Sequence, residues 1–106
     1  TPTGSTAYSL SAGGPIVDPE LESMLLTPVC PHSLVDRSLI FGADTVITVS
    51  SAENERLCFS ADGVKPQIID RGCSARIERA DLTANFIRIK ADSFIDIVYK
   101  KLAQRR

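Results

Sequence analysis

Apolar and polar residues alternate with a period of two through much of the middle of the chain. Thr45-Val46-Ile47-Thr48-Val49, Ala75-Arg76-Ile77-Glu78-Arg79 and Asn85-Phe86-Ile87-Arg88-Ile89-Lys90 each put apolar side chains on one face and polar ones on the other. Successive residues of a strand point to opposite faces, so the pattern predicts half-exposed antiparallel strands in a one-sided sheet. Met24-Leu25-Leu26, Ser38-Leu39-Ile40-Phe41, Leu57-Cys58-Phe59 and Ile68-Ile69 predict shorter strands. Asp62-Gly63 is a strong hairpin turn and Arg71-Gly72 a second, because each pair includes a residue tolerant of positive φ. The period changes near the C-terminus, where Phe94, Ile97, Val98 and Leu102 recur at helical spacing and Asp96, Lys100 and Lys101 fall largely on another face. Asp92 or Ser93 can cap this helix, which runs to about Gln104, and its charges suit the helix dipole. The expected fold is mainly β: an antiparallel, sandwich-like domain with a short N-terminal helix and an amphipathic C-terminal helix. Residues 1–92 form the β-rich unit and 93–106 the terminal helix, whose stripe must be buried on its own sheet or on another domain.

Composition narrows the function classes. The 106 residues carry 12 basic and 13 acidic side chains, a net charge of −1, which gives no electrostatic case for nucleic acid or an anionic membrane. A hydrophobic content of 43% suits one globular domain with a modest core. No apolar run approaches the roughly 20 residues of a membrane-spanning helix, and no secretory leader is visible. Cys30, Cys58 and Cys73 are odd in number and lack a Cys-x-x-Cys pair, so neither a disulfide framework nor a zinc site is expected. Their apolar settings predict buried or half-buried thiols in a reducing, cytoplasmic compartment.

The richest chemistry lies in the first fourteen residues, Thr1-Pro-Thr-Gly-Ser-Thr-Ala-Tyr-Ser-Leu-Ser-Ala-Gly-Gly14. Gly4 allows a ligand to approach the backbone, Ser5 or Thr6 can cap a first helical turn, and free N–H groups there can face an anion. Gly13 and Gly14 supply left-handed positions to end the helix, and Pro15 prevents its resumption. The same features also occur in ordinary capped helices that bind nothing.

The identity of these residues adds more. Thr1-Pro-Thr-Gly-Ser-Thr-Ala-Tyr8 followed by Ser9-Leu-Ser-Ala-Gly-Gly-Pro-Ile-Val17 closely resembles the signature of the NAD kinase family. Thr27-Pro28-Val29-Cys30-Pro31-His32-Ser33-Leu34 with Arg37 resembles its second recurrent segment, and Phe59-Ser60-Ala61-Asp62-Gly63 its later hairpin. The resemblance implies the NAD-binding C-terminal domain of a two-domain enzyme that phosphorylates the 2′-hydroxyl of the adenosine ribose of NAD, using ATP or polyphosphate, to give NADP. It further implies a divalent cation, magnesium by expectation and held mainly outside this chain, and a homodimer or homotetramer. The family's Gly-Gly-Asp-Gly segment, with the Asp taken as general base, and its Asn-Glu or Asn-Asp pair are absent. The chain therefore reads as the C-terminal portion of a longer polypeptide, inactive alone, whose N-terminal α/β domain the last helix returns to cover.

The family's nucleotide-binding stretch maps onto Thr6, Ala7, Tyr8, Ser9, Leu10 and Ser11, the candidate substrate-binding residues. Tyr8 offers a ring for a base or nicotinamide and a hydroxyl for an oxygen, Ala7 allows close approach, and Ser11 falls beside Thr6 and Ala7 if the segment is helical. Ser9 and Leu10 also suit packing, and Tyr8 also suits a half-buried core position. No catalytic residue and no metal ligand is expected in this chain. Asp62 reads as a turn residue. Where some relatives have a nucleotide-contacting Gln, two places after this Asp, this chain has Val64. His32, the only histidine, reads as structural. Two other readings stay open: a lipid or sphingoid kinase-type domain, and a non-catalytic nucleotide-binding module.

Overall fold

The computed structural model describes residues 1–32, 34 and 36–104. A 3₁₀ turn at Thr3–Thr6 leads into a one-turn helix, α1 (Tyr8–Ser11), followed by β1 (Ser23–Leu26), β2 (Leu39–Gly42), β3 (Ile47–Ser50), β4 (Leu57–Phe59), β5 (Gln67–Ile69), β6 (Ser74–Ile77) and α2 (Phe94–Ala103). The strands form three two-stranded antiparallel ladders: β1 with β2, β3 with β6, and β4 with β5. The mainly-β antiparallel fold with a short helix at one end and an amphipathic helix at the other is therefore the one expected.

Nesting of the ladders differs from the expectation at one turn. Arg71-Gly72 does make a turn, with Cys73 N–H bonded to Asp70 O at 3.0 Å and Gly72 at φ 75°. The strands on either side of it nevertheless pair with different partners, so it is not a hairpin turn. Instead β3–β6 and β4–β5 are successive ladders of one long arm, broken where residues 51–56 face residues 70–73 and the register slips by two. Arg56 and Asp70 meet across that break at 3.1 Å, an exposed pair of small energetic weight. At the tip, Asp62 (φ 49°) and Gly63 (φ 70°) form the expected tight turn, closed by Val64 N–H to Ala61 O at 2.9 Å.

A second correction concerns Asn85–Lys90, whose alternation predicted a strand. The segment forms none, and Phe86, Ile87 and Ile89 are 81%, 91% and 93% exposed. Alternation prescribes which face is apolar, but a strand also needs a neighbour to take its N–H and C=O groups, and among the described residues this segment pairs with no ladder. Leu82 and Phe86 instead border an open apolar groove of ≈770 Å³ with Met24, Leu26, Ile47 and Ile77 from β1, β3 and β6.

The groove explains why the modest core expected from composition is missing. Among the described residues Val17 is the buried hydrophobic, and the chain exposes 9264 Å². A compact monomer of its 11.5 kDa mass would expose about 5,800 Å². The radius of gyration, 16.2 Å, likewise exceeds the about 13 Å of a compact domain of this length. Cys30, Cys58 and Cys73 are exposed thiols rather than the buried or half-buried ones expected.

Helix α2 follows its sequence closely. Ser93 caps it, its Oγ accepting from Asp96 N–H at 3.2 Å while its hydroxyl donates to Asp96 Oδ2 at 2.7 Å. Lys100 reaches back to Asp92 at 3.3 Å. Its stripe of Phe94, Ile97, Val98 and Leu102 lines a ≈190 Å³ cleft opposite Thr6, Leu10 and Ile16. Among the described residues no strand residue lines that cleft, so the stripe faces the N-terminal segment there rather than a ladder.

Candidate functional site

The N-terminal segment is held by side-chain hydroxyls rather than by a hydrophobic core. Ser5 is fully buried; its Oγ accepts from Val17 N–H at 3.0 Å and donates to Val17 O at 3.4 Å. One hydroxyl thus satisfies both backbone groups of the buried Val17 and closes the loop from residue 5 to residue 17. Ser5 is consequently unavailable as a helix cap. Neither it nor Thr6 caps the first turn, where Pro2 and then Ala7 occupy the N-cap positions without a side-chain bond. The expected row of free N–H groups is also largely consumed. Gly4 N–H goes to Thr1 Oγ1, Ser5 N–H to Pro2 O and Ala7 N–H to Gly4 O, each at 3.1 Å.

Helix α1 ends in a Schellman arrangement. Gly13 N–H bonds to Leu10 O at 3.0 Å and Gly14 N–H to Ser9 O at 2.8 Å. Gly13, at φ 90°, takes the left-handed position. Gly14, expected to share it, does not, and its need for glycine is steric. A Cβ there would run into Ser9 Oγ and lie 2.9 Å from both Ser9 O and Thr27 Oγ1.

Ala7, at φ −97° and ψ −123°, interrupts the helix, so Thr6 belongs to the 3₁₀ turn and the continuous face expected from Thr6 to Ser11 is broken. The six candidates point three ways. Thr6 and Leu10 line the cleft shared with α2. The Ser9 hydroxyl is part-buried, 2.7 Å from Thr27 Oγ1. Ala7, Tyr8 and Ser11 are exposed, Tyr8 at 71%, so its ring is not a core aromatic. Tyr8 and Ser11 are three residues apart on one turn and therefore neighbours on its surface. They offer a planar ring and two hydroxyls, suited to stacking on a base and hydrogen bonding to a ribose or phosphate oxygen.

Among the described residues no three His, Cys, Asp or Glu side chains gather as metal ligands. Asp62 sits in its turn at the tip of the arm, and His32 is exposed in the loop after β1. Ser33 of the second recurrent segment lies outside the described residues. Sequence reasoning missed Ser5, Gly14 and Thr27 as the residues that anchor the segment. Thr27 carried a usable signal, because it opens the second segment immediately after the apolar run of β1.

Comparison with known proteins bears on the same residues. The model of the ATP-NAD kinase C-terminal domain family matches residues 1–89. An NAD kinase of Thermoanaerobacter sp. (strain X514) is 45% identical over 106 residues, covering 99% of this chain and 38% of that protein. One from Symbiobacterium thermophilum is 43% identical over 104 residues, 97% of this chain and 37% of that protein. NAD kinase 2 of Prochlorococcus marinus (strain NATL2A) is 42% identical over 102 residues, 96% of this chain and 34% of that protein. The chain thus spans little more than a third of the length of the curated relatives it matches. With the family match running from the hydroxyl-anchored segment through all three ladders, this chain belongs to the ATP-NAD kinase C-terminal domain family.

Proposed function

We propose that this chain is the NAD-binding part of an NAD kinase, which transfers a phosphoryl group from ATP, or polyphosphate in its place, to the 2′-hydroxyl of the adenosine ribose of NAD. The observation that carries the reading is the exposed pair Tyr8 and Ser11 on a segment anchored by Ser5 and Ser9, in a chain that belongs to this family. Phosphoryl transfer depends mainly on positioning and charge stabilisation, with a group to orient or deprotonate the acceptor hydroxyl. Positioning is what these residues can supply. Thr6, Ala7, Tyr8, Ser9, Leu10 and Ser11 form the NAD-binding segment, in which Ala7, Tyr8 and Ser11 face the ligand. The carboxylate base, the ATP phosphate loop and any divalent cation belong to another part of the protein.

The open groove and the half-buried stripe of α2 at its cleft suit a domain that works within a larger assembly, a homodimer or homotetramer of the full-length enzyme, with α2 returning to an N-terminal α/β domain. No helix of the structure, within the described residues, is long and apolar enough to cross a membrane. The three free thiols support a reducing, cytoplasmic setting. The test is NADP formation from NAD and ATP. The full-length protein should form NADP at a rate proportional to enzyme, and residues 1–106 alone should form none. Activity in the isolated chain, or none in the full-length protein, would sink the reading.

A further inference from the structure

The Ser9 hydroxyl has a partner outside its own segment, and that partner has another. Thr27 Oγ1 lies 2.7 Å from Ser9 Oγ and accepts from the Ser38 hydroxyl at 3.2 Å. Leu26 pairs with Leu39 at the end of the first ladder, so Thr27 and Ser38 occupy the next facing positions beyond it. Gly14, buried, packs against the same oxygen, and its N–H is bonded to Ser9 O at 2.8 Å. Four points of the chain, α1, its terminating turn, the end of β1 and the start of β2, thus converge on one hydroxyl.

We infer that Thr27 is a positioning residue: by holding Ser9 against the first ladder it sets the roll of α1 and thereby aims Tyr8 and Ser11 at the ligand. The inference rests on the NAD-binding reading above. Each residue of an α-helix turns about 100° from the last, so fixing the direction of Ser9 fixes those of Tyr8 before it and Ser11 two places after. A one-turn helix has little else to hold its roll. Ala7 breaks it from the preceding turn, neither N-cap bears a side-chain bond, and Leu10 faces an open cleft. The hydroxyl chemistry is balanced: Thr27 can accept from Ser38 and still donate to, or accept from, Ser9. Thr27 itself is a poor ligand contact, because its oxygen is enclosed by Ser9, Ser38 and Gly14.

The test compares Thr27→Val, which keeps the branched shape and removes the hydroxyl, with Thr27→Ser, which keeps the hydroxyl, in the full-length protein. Losing this bond from a part-buried hydroxyl pair should raise the KM for NAD about tenfold in Thr27→Val, with kcat and the KM for ATP within about twofold of wild type. Exchange of the Gly14 amide should quicken by a similar factor, and Thr27→Ser should restore both readings. Equal loss in the two variants would assign the effect to packing of the methyl and overturn the inference, as would an unchanged KM and unchanged exchange in Thr27→Val. If Thr27→Val does not fold, Ser38→Ala removes one arm of the cluster. It should move KM for NAD and Gly14 exchange in the same directions, and no movement in either would overturn the inference. The amide exchange needs no ligand. A wild type that fails to bind NAD would therefore refute the functional reading, while exchange in the variants would still decide whether Thr27 holds the helix.

Discussion

Gly14→Ala is expected to destabilise the N-terminal segment by about 1–3 kcal/mol, the cost of forcing an added methyl into a filled site. The new Cβ would lie 2.9 Å from a backbone oxygen, Ser9 O, as well as from Thr27 Oγ1. A side-chain tip could swing away. A carbonyl that already accepts from Gly14 N–H at 2.8 Å cannot move without breaking the bond that terminates α1. The substitution should therefore lower the urea midpoint of the full-length protein and weaken NAD binding together. Gly42→Ala is the control, since nothing lies within 4 Å of its Cβ position and its φ is not positive. That change should alter stability by no more than about 0.5 kcal/mol. Equal effects of the two would show that Gly14 is not a site of close approach.

Ser5→Ala is expected to cost about 1–3 kcal/mol, the range for a buried polar group left without its partner. The Ser5 hydroxyl is the partner of both Val17 N–H and Val17 O in a site that solvent does not reach. Removing it strands both groups and opens the loop that Ser5 closes. Thermal unfolding of the full-length protein checks the magnitude, and hydrogen exchange at Val17 checks the location. A midpoint unchanged from wild type, with the Val17 amide still protected, would mean that backbone or water replaces the hydroxyl without cost.

How far the sequence carried depended on how local each signal was. Helix α2 was legible nearly to the residue, because its stripe, its Ser93 cap and its charge order all lie within a dozen consecutive positions. The Asp62-Gly63 turn was legible for the same reason: positive φ at both residues is a property of those two side chains. Strand existence followed from alternation at β3 and β6, but strand partnership did not. Asn85–Lys90 alternates as well as either and forms no strand, and Arg71-Gly72 turns the chain without joining the strands it separates. Pairing is a long-range property that period two leaves open.

At the candidate site, the likeness of Thr1–Val17 to a known signature singled out one segment, whereas the generic reading of its hydroxyls and glycines misplaced their roles. Ser5 looked like a cap and is a buried brace; Gly14 looked like a left-handed residue and is a point of close approach. Both partners, Val17 and Thr27, lie a dozen or more residues away in sequence from the groups they hold. No local window contains that information. Exposure of Tyr8 was equally hidden, since a tyrosine after Thr-Ala fits a core position as well as a surface one.

The account stands or falls on whether Tyr8 and its turn of helix hold NAD. Calorimetric titration of NAD into the full-length protein, wild type beside Tyr8→Ala, tests this most directly, with circular dichroism establishing that both are folded. Tyr8 is 71% exposed, so its removal should leave stability within about 0.5 kcal/mol while the loss of a stacking ring weakens NAD at least about tenfold. A folded Tyr8→Ala protein that binds NAD as tightly as wild type would contradict the account and leave this segment an architectural element of the domain.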